Sequence, residues 1–255
     1  QASLRFFSEN RTPRIATQRA WQEALQSSVQ HHFGGGSIHC MCNINDIFFQ
    51  MKSGVVWRNS DDFFPRRPSP AQADHVTINA YNNLWTRTAV LPDWDMFYSG
   101  HEHGEFHAAA RALSGGPIYV SDRPDSHDGK VLKALTVTNG DVLRCPQPAV
   151  PAPAMLFTDP RREPRLLKIG NRTGTSGVLG LFHVCYGEAD PKEEPGAIPI
   201  PITDTWRPAD VYGLEGERFA VFSRFHGYLG IVEREQATEL ELEYMEFDIV
   251  TLTPV

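Results

Sequence analysis

The side chains most able to do chemistry gather in two short runs. Trp57-Arg58-Asn59-Ser60-Asp61-Asp62 carries an arginine and adjacent aspartates, and Pro92-Asp93-Trp94-Asp95 places two more around a tryptophan. Paired carboxylates beside an aromatic ring are what glycoside chemistry requires. One carboxyl protonates a leaving oxygen, a second attacks or activates water, and a Trp face packs on the apolar side of a sugar. Plainer readings stay open. Asp61-Asp62 can cap the segment that follows, and Asp93 with Asp95 can be a solvated loop. Two other patterns are weaker. Cys40-x-Cys42 beside His39 lacks a second ligand pair at metal spacing, and His101-x-His103-x-x-x-His107 lacks a matching carboxylate motif.

These residues need elements to position them. Over 15–33, Trp21, Leu25, Val29 and Phe33 recur every fourth residue, which predicts one apolar helix face, ended by Gly34-Gly35-Gly36. Strands are expected near 37–42, 54–59, 93–97 and 117–121, with helices at 73–90, 104–113 and 130–135 between or after them. Strands alternating with helices at this spacing indicate βα units on a parallel sheet. Four such units make half of a (β/α)8 barrel, whose chemistry sits at the C-terminal strand ends. That rule selects His39, Cys40 and Asn43; Arg58, Ser60, Asp61 and Asp62; Asp93, Trp94 and Asp95; and Ser121 with Asp122.

The style changes after residue 138, so the expected domains are 1–138 and 139–255, the second an antiparallel β-sandwich. Residues 146–208 hold eleven of the 19 prolines, which argues against long helices and central strands there. Residues 213–255 carry nine acidic and three basic residues, a net of −6 within a total of −7. There Leu240 and Leu242 alternate with glutamates. The alternation slips at Tyr244-Met245 and resumes with Phe247 and Ile249 against Glu246 and Asp248, which predicts one bulged strand with a solvated acidic face. The negative charge is the wrong sign for a general nucleic-acid binder. No stretch reaches the roughly 18 apolar residues of a spanning helix. Four irregularly spaced cysteines point to reduced thiols and a cytoplasmic location. The opening Gln-Ala-Ser-Leu-Arg-Phe-Phe has no signal-like n-region or apolar run and reads as the middle of a domain.

Longer blocks carry a resemblance. Trp57 to Pro65, Pro92 to Phe97 and the run Glu105 to Asp122 resemble the raffinose synthase and seed-imbibition group of glycoside hydrolase family 36, and the similarity covers about residues 1–185. Gly140-Asp141-Val142-Leu143-Arg144 and Gly177 to Phe182 extend it. The resemblance implies a retaining mechanism on a (β/α)8 barrel followed by an antiparallel β domain, acting on galactose-containing oligosaccharides without metal or organic cofactor. By position it makes Asp61 the general acid/base, Arg58 a ligand of sugar hydroxyls or of the nucleophile, and Cys40 part of the sugar pocket. Asp62, Trp94 and Asp95 complete the substrate-binding candidates. The family's Lys-x-Asp-Asn-Gln-like motif would end at Gln1, which puts the nucleophile upstream and makes this chain a fragment, inactive alone. The implied activity is an α-galactosidase on raffinose-family sugars. Galactinol–sucrose galactosyl transfer and a catalytically dead carbohydrate-binding relative are the alternatives.

Overall fold

The computed structural model describes residues 14–41, 45–52, 56–188, 190 and 200–255. The first part alternates helix and strand: α1 (Arg14–Phe33), β1 (Ile38–His39), α2 (Asn45–Phe48), β2 (Val56–Arg58), α3 (Ser69–Thr86), β3 (Leu91–Asp93), α4 (Gly104–Ser114) and α5 (Gly129–Ala134). β1, β2 and β3 pair in parallel in that order. Local signals set the helix limits. Pro70 opens α3, where a missing N–H is harmless. Asp128 caps α5 by accepting from Lys130 N and Val131 N. Gly115 ends α4 at φ 79°, and a Cβ there would lie 1.9 Å from Gln147 O, so only glycine fits.

The parallel layer departs from expectation beyond β3. The anticipated strand at 93–97 ends at Asp93, and Phe97 keeps one parallel bridge to Val120, the sole remnant of the strand expected at 117–121. Asp95 at φ 65° turns the chain out of extended geometry between the two. The first three anticipated strands do lie in one parallel sheet. The helix α1 also turns a different face inward. Gln18, Gln22 and Gln26 are its buried stripe, while Trp21 is 56% exposed and Phe33 70%. Gln26 explains the choice: its amide donates to Gln50 O at 3.3 Å and accepts from Lys52 N at 2.8 Å, tying down the backbone ahead of β2.

The second part is antiparallel. β4 (Val150–Pro151), β5 (Leu167–Thr173), β6 (Ser176–Phe182), β8 (Arg218–Ser223), β9 (Leu229–Glu233) and β11 (Phe247–Pro254) form one sheet in the order β4-β5-β6-β11-β8-β9. β7 (Ile202–Trp206) and β10 (Thr238–Leu242) pair separately. β5 and β6 are central strands inside the proline-rich stretch, against expectation, because Pro164 and Pro191 flank them and none falls within. The predicted single bulged strand is two strands in different sheets, divided at Met245 with φ 64°. Asp248 is buried, not solvated.

Period-2 alternation gives the larger sheet two apolar faces. Leu179, Leu181, Val221, Val250 and Leu252 pack with Ile202, Trp206 and Leu242 of the small sheet. Leu167, Ile169 and Phe182 pack with Ala73, Val76, Trp94, Phe106 and Leu113 of the first part. The two parts therefore share a core. That shared core packs α3 and α4 against β5 and β6.

Candidate functional site

Arg58 is the last residue of β2, between β1 and β3, and is 8% exposed. Strand alternation sends Trp57 to the opposite side, where it packs with Val90. Three carboxylates meet the guanidinium. Nε lies 3.1 Å from Asp93 Oδ2, Nη2 2.7 Å from Asp95 Oδ1, and Nη1 2.9 Å from Asp62 Oδ1. Tyr119 donates to Asp93 Oδ2 at 2.8 Å. Burial works against the charge on Arg58, but Asp95 and Asp93 outweigh it and raise its pKa above the ordinary value. Burial, then Asp93, pushes the Tyr119 phenol well up, so it stays a donor.

Asp95 is held from below. Its Oδ2 accepts from Phe63 N at 2.7 Å and its Oδ1 from Met96 N at 2.8 Å. The fully buried Arg111 donates to Trp94 O at 2.9 Å and to Asp95 O at 3.2 Å. It also donates to His107 Nδ1 at 2.8 Å. Arginine only donates, so His107 carries its proton on Nε2 and gives it to Gln72 Oε1 at 3.0 Å. Burial and then Arg111 drive His107 well below the usual histidine range and bring His75, which donates to Trp94 O, down to about 3. Sequence reasoning missed Arg111 and Tyr119. Both lie within the Glu105–Asp122 block, but nothing in their spacing says which way they point.

The structure brings Arg58, Asp62, Asp93 and Asp95 together and separates the remaining candidates. Asp61 is exposed, and its Oδ1 accepts from Asp62 N at 3.0 Å. Asp62 is 60% exposed at its side chain and is the carboxylate of the cluster that solvent reaches. Cys40 is exposed just beyond β1. Asn43, Cys42 and Gln1 lie outside the described residues. Two substrate-binding assignments are corrected. Trp94 is 0% exposed, packs in the shared core and donates to Asn83 Oδ1 at 3.1 Å, so it offers no face to a sugar. Asp95 is 2% exposed with both oxygens engaged, so it positions Arg58 instead of touching a ligand. Ser60 is also internal, accepting from Asn79 Nδ2. The histidines at 101, 103 and 107 hydrogen-bond to Pro65 O, Ser69 Oγ and Gln72 Oε1 respectively.

The site is thus a polar cluster at the C-terminal ends of parallel strands, with an antiparallel sheet packed behind. Solved structures agree at the level of fold. An α-galactosidase from Saccharomyces cerevisiae superposes with a TM-score of 0.58 over 99% of this chain and 74% of its own, at 10% identity. A β-L-arabinopyranosidase of family GH27 from Geobacillus stearothermophilus gives 0.55 over 78% of this chain and 45% of its own, at 14% identity. The profile described as raffinose synthase or seed imbibition protein Sip1 matches residues 1–255, and the chain belongs to that family. A galactinol–sucrose galactosyltransferase from Oryza sativa subsp. japonica is 37% identical over 95% of this chain. A stachyose synthase from Pisum sativum is 35% identical over 72% of it. The chain spans 33% of the rice protein's length and 23% of the pea protein's.

Proposed function

We propose that the protein carrying this chain is a galactosyltransferase that moves a galactosyl unit from galactinol to sucrose by retaining double displacement. The observation that carries the reading is the kinship at 35–37% identity, across 95% of the chain, with proteins named for that reaction. It favours transfer over the hydrolysis that the motifs first suggested. We place the βα units in a (β/α)8 barrel and the antiparallel sheets in a sandwich behind it, and the enzyme in the cytoplasm.

Asp62 takes the acid/base role in this proposal, in preference to Asp61. The Arg58 guanidinium holds the Asp62 carboxylate over the strand ends, while Asp61 is turned onto a backbone N–H. In the first step a nucleophilic carboxylate forms a bond to the anomeric carbon. The bond to the leaving oxygen breaks as Asp62, which enters this step as the protonated carboxyl, gives that oxygen its proton. In the second, Asp62 takes the proton of a sucrose hydroxyl, whose oxygen displaces the enzyme carboxylate. The two carboxyls must stand about 5 Å apart. Asp93 and Asp95 are committed to Arg58, so neither takes the nucleophile's role. Arg58 and Cys40 would line the galactose pocket.

The test uses the full-length gene product with galactinol and sucrose. Raffinose should accumulate; release of galactose alone would restore the hydrolase reading. Asp62→Asn should slow turnover roughly 10²–10⁴-fold, with much less effect on an activated aryl galactoside whose leaving group needs little protonation. Asp61→Asn should be milder. The reverse order would return the role to Asp61.

A further inference from the structure

The loop after Val120 ends in an assembly that the scheme above does not use. The Asp122 side chain is 1% exposed. It accepts from Ser99 N at 2.7 Å, Ser99 Oγ at 2.5 Å and His127 Nδ1 at 3.0 Å. Ser99 Oγ in turn accepts from Asp128 N at 2.8 Å. Burial works to raise the Asp122 pKa, but the hydrogen bonds from Ser99 and His127 outweigh it and hold the carboxyl below the usual range. His127 is 49% exposed at its side chain. A carboxylate only accepts, so the proton sits on Nδ1, and in the neutral ring the Nε2 lone pair is left to accept from something else.

Position gives this imidazole a partner. Asp122 follows Val120 as Asp95 follows Asp93, at the C-terminal side of the same parallel layer. Neighbouring loops interlock there: His101 Nε2 donates to Pro65 O at 3.1 Å, and Tyr119 reaches back to Asp93 and Arg58. Asp62 follows β2 and His127 follows the Phe97–Val120 bridge, so both leave the parallel layer on its C-terminal side. Two Ser99 donors already serve Asp122. A further contact with a half-exposed ring adds little to stability, but it fixes which way the ring points.

Resting on the transfer reading, we propose that His127, oriented by Asp122, binds a hydroxyl of the acceptor sugar and thereby favours transfer to a saccharide over transfer to water. Donor and acceptor kinetics of the full-length gene product separate this from a purely structural clasp. At saturating galactinol, His127→Ala should raise the KM for sucrose about tenfold, the loss of one hydrogen bond, while the KM for galactinol stays within about twofold. The ratio of free galactose to raffinose should rise. His127→Gln, which keeps a polar atom in reach, should recover part of the sucrose affinity. A loop clasp alone predicts a lowered melting temperature with both KM values moving together, and that result overturns the inference. So does raffinose synthesis with an unchanged sucrose KM in His127→Ala, which leaves the transfer reading intact. A wild type that only releases galactose overturns the transfer reading, and this inference with it.

Discussion

Around Arg58, buried charges converge from β2, β3 and the Tyr119 segment, and the network ends at Asp62, which solvent reaches. Around Lys168, in the antiparallel part, the network is built on one lysine and ends at Arg165, a half-exposed cation 3.0 Å from Asp204. Lys168 is 3% exposed, and Asp204 and Asp210 lie 3.9 and 3.7 Å from its ammonium, while Thr205 O accepts from it. Asp248 is buried too, accepting from Ser223 Oγ, Phe225 N, Ile249 N and the half-exposed His226 Nδ1. Both regions bury ions, which is expensive unless every charge is paired. In the antiparallel part the pairs tie strands and turns together. In the α/β part they aim one guanidinium, and through it one carboxylate, at open space. Buried charge by itself does not mark a site; the two parts differ in what reaches solvent, a carboxylate at Asp62 in one and a cation, Arg165, with a ring, His226, in the other.

The largest effect that would break this comparison is expected at Arg58. Arg58→Met should abolish turnover and destabilise the fold by about 3–5 kcal/mol, because Asp93 and Asp95 are left buried without a cation. Chemical denaturation combined with a galactinol assay reads both; retained activity would remove Arg58 from the site. Lys168→Met should cost roughly 3 kcal/mol by the same logic, yet leave turnover per folded molecule alone. Loss of activity beyond the folded fraction would show that the antiparallel network reaches the site after all.

Acid should weaken the α/β part next. His75 falls to about 3 in the fold against an ordinary 6.5, because burial disfavours its charged form. Between those values the unfolded chain binds a proton that the folded chain refuses. The stability is fully present above pH 6.5 and is lost at about 1.4 kcal/mol per unit as pH falls toward 3. Denaturant midpoints at pH 7, 5 and 4 should show a slope of this sign, and His75→Gln should reduce it while His107 and His183, also lowered by burial, keep the remainder. The smallest effect belongs to Trp94. Trp94→Phe forfeits the bond to Asn83 and should cost about 1 kcal/mol without changing any substrate KM. A raised KM would return Trp94 to the sugar pocket.

Much of the architecture was legible because it rests on short-range signals. Helix limits follow Pro70, Asp128 and Gly115, and the order of the parallel layer follows the alternation of helix and strand. The cluster of chemistry at the strand ends was legible for the same reason: Arg58, Asp62, Asp93 and Asp95 each end or follow a parallel strand. What period-counting misjudged were choices between faces. The four-residue spacing of Trp21, Leu25, Val29 and Phe33 is a valid helix stripe, but the Gln18-Gln22-Gln26 stripe won because Gln26 satisfies backbone groups at Gln50 and Lys52. Likewise the alternation through Leu240–Ile249 gave no warning that Met245 turns the chain into another sheet.

The sequence alone determined that this chain alternates βα units, then turns antiparallel, and that carboxylates crowd the ends of the parallel strands. Those features depend on residue type and spacing within a few turns of backbone. Only the tertiary structure decided which carboxylate meets the arginine. Asp61 and Asp62 are adjacent and identical in type, and so are the roles that Asp93 and Asp95 might fill on paper. They part company because the Arg58 guanidinium, pinned from 35 residues away by Asp93, has one free edge, and Asp62 is the residue that meets it. A direction in space set by contacts that distant is not encoded in any local pattern.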